Sequence, residues 1–219
     1  MARKTNNSIR KKHLILCEGR DAEEVLITYL NSDALSNVSA FSNDFQVMDF
    51  GGITDLTNFI RTLQNMEGFN RVESLLIIRD AERDSKKAIA DIKSTLRNCN
   101  LAIPDTPHCW YGHVPKVGYL LFPTCDTFVQ VGTLEDLCLS ILSEENSSNI
   151  LYEIRGFMNN LENKYNRSYP HEFKTKLHTY FSVTDEYVSL KIGEAAKAGA
   201  FNWNSNKLLP LKNFLSEII

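Results

Sequence analysis

Short apolar runs and helical stripes alternate through the first two thirds of this chain. Leu14-Ile15-Leu16-Cys17 runs into Glu18-Gly19, and Val25, Leu26, Tyr29 and Leu30 follow at helical spacing. That pattern predicts a buried strand over residues 13–17, a tight turn, and a helix over residues 21–30. Residues 31–44 are rich in Asn, Ser and Asp and read as loop. A second strand is expected over residues 45–50, closed by Gly51-Gly52. The helix after it would bury Leu56, Phe59, Ile60 and Leu63, with Thr54 as candidate cap. A third strand over residues 72–78 leads to a helix over residues 84–96, for which Asp84 is a natural N-cap. After an irregular stretch over residues 99–117, a fourth strand covers residues 117–122 and stops at Pro123. The remainder reads as helices over residues 134–142, 150–161, 172–181, 187–198 and 209–218.

The order β-α-β-α-β-α-β predicts an α/β fold, a mostly parallel four-stranded sheet flanked by helices, with a helical C-terminal extension. Residues 1–12 would be a basic flexible arm, residues 13–142 the α/β domain, and residues 143–219 the extension packed on it. The soft boundary falls in Ser-Glu-Glu-Asn-Ser-Ser-Asn at residues 143–149.

Composition narrows this picture little, but charge distribution changes it. The net charge of −3 conceals an uneven spread. Residues 1–13 carry five basic residues and no acid, residues 14–150 carry 10 basic and 20 acidic residues, and residues 151–219 carry 9 basic and 7 acidic residues. An acidic centre between basic ends suits a metal site served by phosphate-binding surfaces; a solubilising tail on an ordinary surface is the plainer reading. No apolar run is long enough to cross a membrane, and the N-terminus lacks the apolar core of a signal peptide. The five cysteines show no CxxC pair, which points to reduced cytoplasmic thiols and away from zinc.

Two junctions carry the chemistry. Glu18 follows the first strand, and Asp80-Ala81-Glu82 follows the third. If those strands are neighbours, Glu18 and Asp80 leave the same sheet edge about 4.8 Å apart. Glu82, two residues beyond Asp80 on an extended segment, would share its face. Three clustered carboxylates repel one another unless a cation neutralises them, and oxygen-only ligands favour Mg²⁺ or Mn²⁺. Such an ion supports in-line attack on a phosphodiester. Either junction taken alone is more often helix capping than chemistry.

Cys17-Glu18-Gly19-Arg20-Asp21 together with Asp80-Ala81-Glu82 resembles the Toprim domain of primases, topoisomerases, recombination proteins and OLD-type nucleases. The resemblance extends to small stand-alone Toprim-like proteins through Gly118 to Pro123, Gly132-Thr133-Leu134-Glu135-Asp136-Leu137, Lys176-Leu177-His178-Thr179-Tyr180, and Gly193 to Trp203. It covers most of residues 13–215. It implies a Toprim/Rossmann-like sheet and a Mg²⁺- or Mn²⁺-dependent nuclease or related phosphodiester hydrolase, acting on DNA or RNA in genome defence or repair. By that resemblance Glu18 is a metal ligand or acid/base, and Asp80 and Glu82 are metal ligands. Glu135 matches an acidic position near a second metal, Asp21 joins the candidate ligand set, and Lys176 is a candidate for stabilising transition-state charge.

Three positions depart from the family pattern. Ala22 stands where many Toprim nucleases carry an acid, Glu82 replaces an Asp, and Arg79 precedes Asp80 where an apolar residue is usual. Arg79 would bind phosphate if it points outward and pair with a carboxylate if it points inward. Competing readings are a non-catalytic nucleic-acid or protein-binding module of the same shape and, less well matched, a receiver-type phospho-acceptor domain. A protein partner or homo-oligomer is compatible with either.

Three further stretches carry weaker signals. His108-Cys109-Trp110-Tyr111-Gly112-His113 suits packing better than metal binding. Gly51-Gly52 offers a phosphate cradle without the Gly-Lys-Ser/Thr of a P-loop. Tyr165, Tyr169, Tyr180 and Tyr187, interleaved with Lys164, Arg167, Lys174 and Lys176, read either as a nucleic-acid surface or as helix packing with a basic rim.

Overall fold

In a computed structural model of the chain, residues 8–123, 131–144 and 148–219 are described, the side chains of Ile53 and Ser148 excepted. The strands are β1 (His13–Cys17), β2 (Phe45–Asp49), β3 (Ser74–Asp80) and β4 (Lys116–Phe122). They form one sheet in the order β2-β1-β3-β4, with every pairing parallel. The first half is completed by helices α1 (Arg20–Leu30), α2 (Ala40–Asp44), α3 (Leu56–Gln64) and α4 (Ser85–Asn98). The C-terminal half contributes α5 (Leu134–Ser143), α6 (Ser148–Tyr165), α7 (Glu172–Ser182), α8 (Ile192–Lys197) and α9 (Leu209–Ser216). Among the described residues, no helix is long and apolar enough to cross a membrane.

Strand alternation divides the interior into two layers. Ile15, Cys17, Leu76 and Ile78 face a core shared with α1 and with the C-terminal helices. Leu14, Leu16, Leu75 and Ile77 face the other way, against α3 and α4. The C-terminal helices therefore complete one face of the sheet. Trp110 belongs to this packing: its ring lies 4.6 Å from that of Phe214 and its Nε1 donates to the Phe214 carbonyl at 3.0 Å. The His108–His113 stretch is thus anchored by packing. A Cβ on Gly118 would come within 2.8 Å of Phe214 Cζ and 2.9 Å of Trp110.

Several predicted boundaries are corrected. Residues 1–7 lie outside the described residues, but residues 8–12 are docked. Ile9 is buried, Arg10 N–H donates to Gln46 Oε1 at 2.9 Å, and Lys12 lies 3.5 Å from Asp44. One apolar residue in the basic segment, with these polar contacts beside it, anchors it to the domain. The loop at residues 31–44 contains α2. Thr54 lies within a 3₁₀ turn, and Asp55 precedes α3. The helix expected over residues 187–198 is split, with a 3₁₀ turn at Asp185–Tyr187 and α8 after it; Ser189 between them has φ 67, which no helix accepts. Asp84 does cap α4, accepting the Lys87 N–H at 3.0 Å. Part of the 143–149 boundary, residues 145–147, lies outside the described residues, as does Cys125. Cys17, Cys99, Cys109 and Cys138 are free thiols.

Candidate active-site cleft

The sheet order creates a switch point between β1 and β3, because the chain leaves β1 for β2 on one side and returns to β3 on the other. Open parallel sheets place ligands outside the carboxyl ends of the strands at such a point. Glu18 and Asp80 both stand there. The expectation that their strands are neighbours is met, but the register separates their faces. Cys17 pairs with Ile78, so Glu18 comes level with Arg79, one residue short of Asp80. A shift of one residue sends side chains to opposite faces of a strand.

Glu18 accordingly meets Arg79, whose Nε lies 3.6 Å from its Oε2. Arg79 is 5% exposed, and its Nη1 also lies 3.6 Å from Asp91 of α4. Arg79 therefore points inward. It is the cation between one acid at the strand ends and one on the helix.

Asp80 faces the other layer and meets the N-terminus of α5. Its Oδ1 accepts the Leu134 N–H at 2.9 Å. The segment Gly132 to Asp136 is built around this contact. Gly132 exchanges two backbone hydrogen bonds with Glu82, at 2.8 and 2.7 Å. Its φ of +136 and the proximity of Asp136 Oδ2, 2.9 Å from any added Cβ, require glycine there. Asp136 Oδ2 accepts from the Thr133 N–H at 2.8 Å and from its hydroxyl at 3.1 Å, folding the acid back over the start of the helix. Glu135 comes next in the same turn. Its charge, after burial, is the largest influence raising the Asp80 carboxyl, which is pushed up to about 8; Glu18 and Glu82 add to the rise and the Leu134 N–H opposes it.

Asp80, Glu82 and Glu135 line one cleft of about 1270 Å³. Glu82 reaches it by a route that strand alternation does not describe. With φ 54 it is in the left-handed region, and it forms an antiparallel bridge with Gly132. The three-carboxylate set expected from Glu18, Asp80 and Glu82 is not assembled. Among the described residues, no three His, Cys, Asp or Glu side chains converge closely enough to hold an ion as they stand. Asp21 lies elsewhere: its Oδ1 accepts the Gly193 N–H at 3.1 Å, tying α1 to α8. Ala22, at the position where many Toprim nucleases have an acid, is buried in the core.

The cleft carries two lysines, Lys174 and Lys207, and neither is the expected Lys176. The Lys174 Nζ lies 4.0 Å from Glu135 Oε1. Lys176 is half-buried and is not in the lining. Its ammonium is pushed down, first by burial and then by Arg155. Two residues along α7 turn a side chain to another face, which the sequence pattern alone did not resolve. Arg83, Tyr169, Phe173 and Lys207 complete the functional character of the cleft. Of the remaining tyrosines, Tyr180 is buried, Tyr187 packs against Phe181, and Tyr165 is exposed.

Asp49 was missed by sequence reasoning. At the end of β2, its Oδ1 accepts the N–H of Gly19 at 2.9 Å and of Gly51 at 2.7 Å. The Gly51 N–H is thus already taken, and the Gly51-Gly52 cradle is a self-bonded turn. An acid closing the strand next to β1, followed by Gly-Gly, was the available signal.

Residues 12–219 match the family described as "Protein of unknown function (DUF3226)". The chain belongs to the DUF3226 family. No curated protein and no solved structure matches it. In this DUF3226 chain the Gly132–Leu137 segment, singled out by resemblance, has a physical role at each of its first five positions, all of it directed at Asp80 or at the cleft beside it.

Proposed function

We propose that this cleft is the centre of a divalent-cation-dependent phosphodiesterase of Toprim type acting on nucleic acid. The observation that carries the reading is the position of Asp80. It stands at the switch point of a parallel sheet, held by the Leu134 N–H at 2.9 Å, in a cleft shared with Glu82 and Glu135. The donors are all hard carboxylate oxygens, which fits Mg²⁺ or Mn²⁺. Mg²⁺ is commonly held by one or two carboxylates, with waters and substrate phosphate completing its shell. Asp80 and Glu135 would hold it, with Glu82 adjoining. The ion, when bound, supplies polarisation of a phosphoryl oxygen and a more acidic water.

The protein groups have separable tasks. The Leu134 N–H holds the Asp80 carboxyl through Oδ1 at the edge of the cleft that Asp80 lines. Lys174, near Glu135, offers positive charge to an incoming phosphate. Glu18 acts from outside the cleft through its charge on Asp80, while Arg79 holds it in place. A place in genome defence or repair rests on the Toprim resemblance.

The reading is tested by incubating single- and double-stranded DNA and RNA with the protein in Mg²⁺, Mn²⁺ or EDTA. Cleavage is expected with the metals and absent in EDTA. Asp80→Asn should lower it by at least about a hundred-fold, since second-shell changes alone cost about 10–100-fold. Unchanged cleavage by a folded Asp80→Asn protein would remove the proposal. A second reading, a non-catalytic binding module, is favoured by buried Ala22 and by the engagement of Glu18 with Arg79. It predicts steeply salt-dependent binding and no turnover with either metal.

A further inference from the structure

The segment that closes the cleft has a composition its packing does not explain. Residues 170–174, Pro-His-Glu-Phe-Lys, are all exposed, and Phe173 leaves 49% of its surface in solvent. All five line the cleft, together with half-buried Tyr169. The segment is held beside the carboxylates at both ends. Arg83, three residues after Asp80, donates from Nη2 to the Pro170 carbonyl at 3.1 Å, and Lys174 Nζ lies 4.0 Å from Glu135. Aromatic side chains and cations thus share one lining with the acids.

We propose that the cleft takes a single strand of nucleic acid, with bases stacked on Tyr169, His171 and Phe173 and phosphates drawn to Arg83, Lys174 and Lys207. This rests on the phosphodiesterase reading for the role of the acids and adds the strand state of the substrate. Three observations lead there. The volume of about 1270 Å³ exceeds the roughly 300–1,000 Å³ of small-ligand pockets, which suits several linked nucleotides. Exposed rings such as those of His171 and Phe173, beside Tyr169 packed in part on the core, engage bases whose faces are free, and a duplex keeps those faces buried in its stack. The lysines and the arginine lie within the same lining as the rings, the combination that single-strand grooves use. Carboxylates outnumber Lys and Arg in that lining, so a phosphate chain enters only when a divalent cation offsets them.

The test is binding by fluorescence anisotropy, with the full chain and labelled oligonucleotides of about 12 nucleotides, a length within the span of known single-strand grooves. Single strands of DNA and RNA and their duplexes are titrated in Ca²⁺ and in EDTA. Single strands should bind at least about ten-fold tighter than duplexes in Ca²⁺, and weakly in EDTA. The double variant Tyr169→Ala/Phe173→Ala should lose about ten-fold or more on single strands and nothing on duplexes. Lys174→Ala and Lys207→Ala should each lower the salt slope by about 0.7. Circular dichroism establishes that each variant is folded; a conservative Phe173→Leu replaces any variant that is not, and it too should weaken single-strand binding. Equal affinity for duplex and single strand, or unchanged affinity in a folded aromatic variant, overturns the proposal. Selective single-strand binding without cleavage would remove only the enzymatic reading, whereas metal-dependent cleavage without strand selection would remove only this one.

Discussion

Buried Arg79 contacts Glu18 at the ends of adjacent parallel strands, Nε 3.6 Å from the carboxylate, with Asp91 at the same distance from Nη1 of the guanidinium. One cation thus stands between two acids, and deleting it removes that charge from both. The Arg79 side chain is 6% exposed while those of Glu18 and Asp91 are 22% and 43% exposed, so solvent partly relieves the acids once the arginine is gone. Arg79→Met is expected to destabilise by about 2 kcal/mol, below the roughly 3–5 kcal/mol seen when a fully buried pair is broken. Urea denaturation at neutral pH measures it, and a loss under about 0.5 kcal/mol would mean that the contact carries little stability.

Asp80 predicts a link between protons and metal. Its carboxyl is raised to about 8, so the folded protein keeps a proton there that the unfolded chain loses near its ordinary value of about 4. The unfolded state binds fewer protons between these values, so this group makes stability fall as pH rises from about 4 to about 8. Asp80→Asn removes that loss. It should raise stability at pH 8 relative to pH 4 by at least about 1.4 kcal/mol, the equivalent of one pKa unit. Mn²⁺ should raise the melting temperature of the wild type more at pH 8 than at pH 5, because binding must displace the proton. The variant should show little response. A variant with the wild-type pH profile and the wild-type Mn²⁺ response would contradict this account.

His13 gives a dependence of opposite sign at the other end of the sheet. It is buried, its Nδ1 lies 2.9 Å from Ser74 Oγ, and burial, then Lys12, lowers its pKa. The folded state therefore resists the proton that the unfolded chain accepts near its ordinary value of about 6.5. Stability from neutral His13 is present above that value and is lost as pH falls through it. Comparing melting temperatures of wild type and His13→Gln between pH 7.5 and about pH 5 should show the steeper acid-side fall in the wild type.

Gly193 tests the seam between α1 and α8. A Cβ there would collide with Glu24 Cβ and Oε2, and the Gly193 N–H is already engaged by Asp21. Gly193→Ala would gain up to about 1 kcal/mol of helix propensity but lose about 1–3 kcal/mol to overpacking. Net destabilisation is expected, read by urea unfolding followed through the tryptophans. A stabilised variant would show that the seam yields freely.

The strands were legible because their apolar runs are buried on both faces and bounded by turn residues, as at His13–Cys17 and Lys116–Phe122. The α/β alternation followed from them. The site was legible only in part. Glu18, Asp80 and Glu135 could be picked out by position, but the one-residue offset that turns Glu18 to Arg79 and Asp80 to Leu134 depends on strand register, which no local pattern encodes. Glu82 escaped the alternation because its backbone leaves the extended region. Lys174 and Lys176 differ only in which face of α7 they occupy, and that is set by where Leu177 packs. Ile9 shows the converse: a charged terminal segment hid one apolar anchor.

The cleft draws most of its acids, with Arg83, from the end of β3 and the first turn of α5, and its aromatic rings and lysines from residues 169–174 and from Lys207. The parallel sheet depends on neither wall segment for its hydrogen bonds. Substitutions at exposed His171 or Phe173 therefore leave the Asp80 contact with Leu134 in place. The acids at the end of β3 and in the first turn of α5 and the segment over residues 169–174 are therefore separate in sequence and in hydrogen bonding, so either can be altered without rebuilding the other.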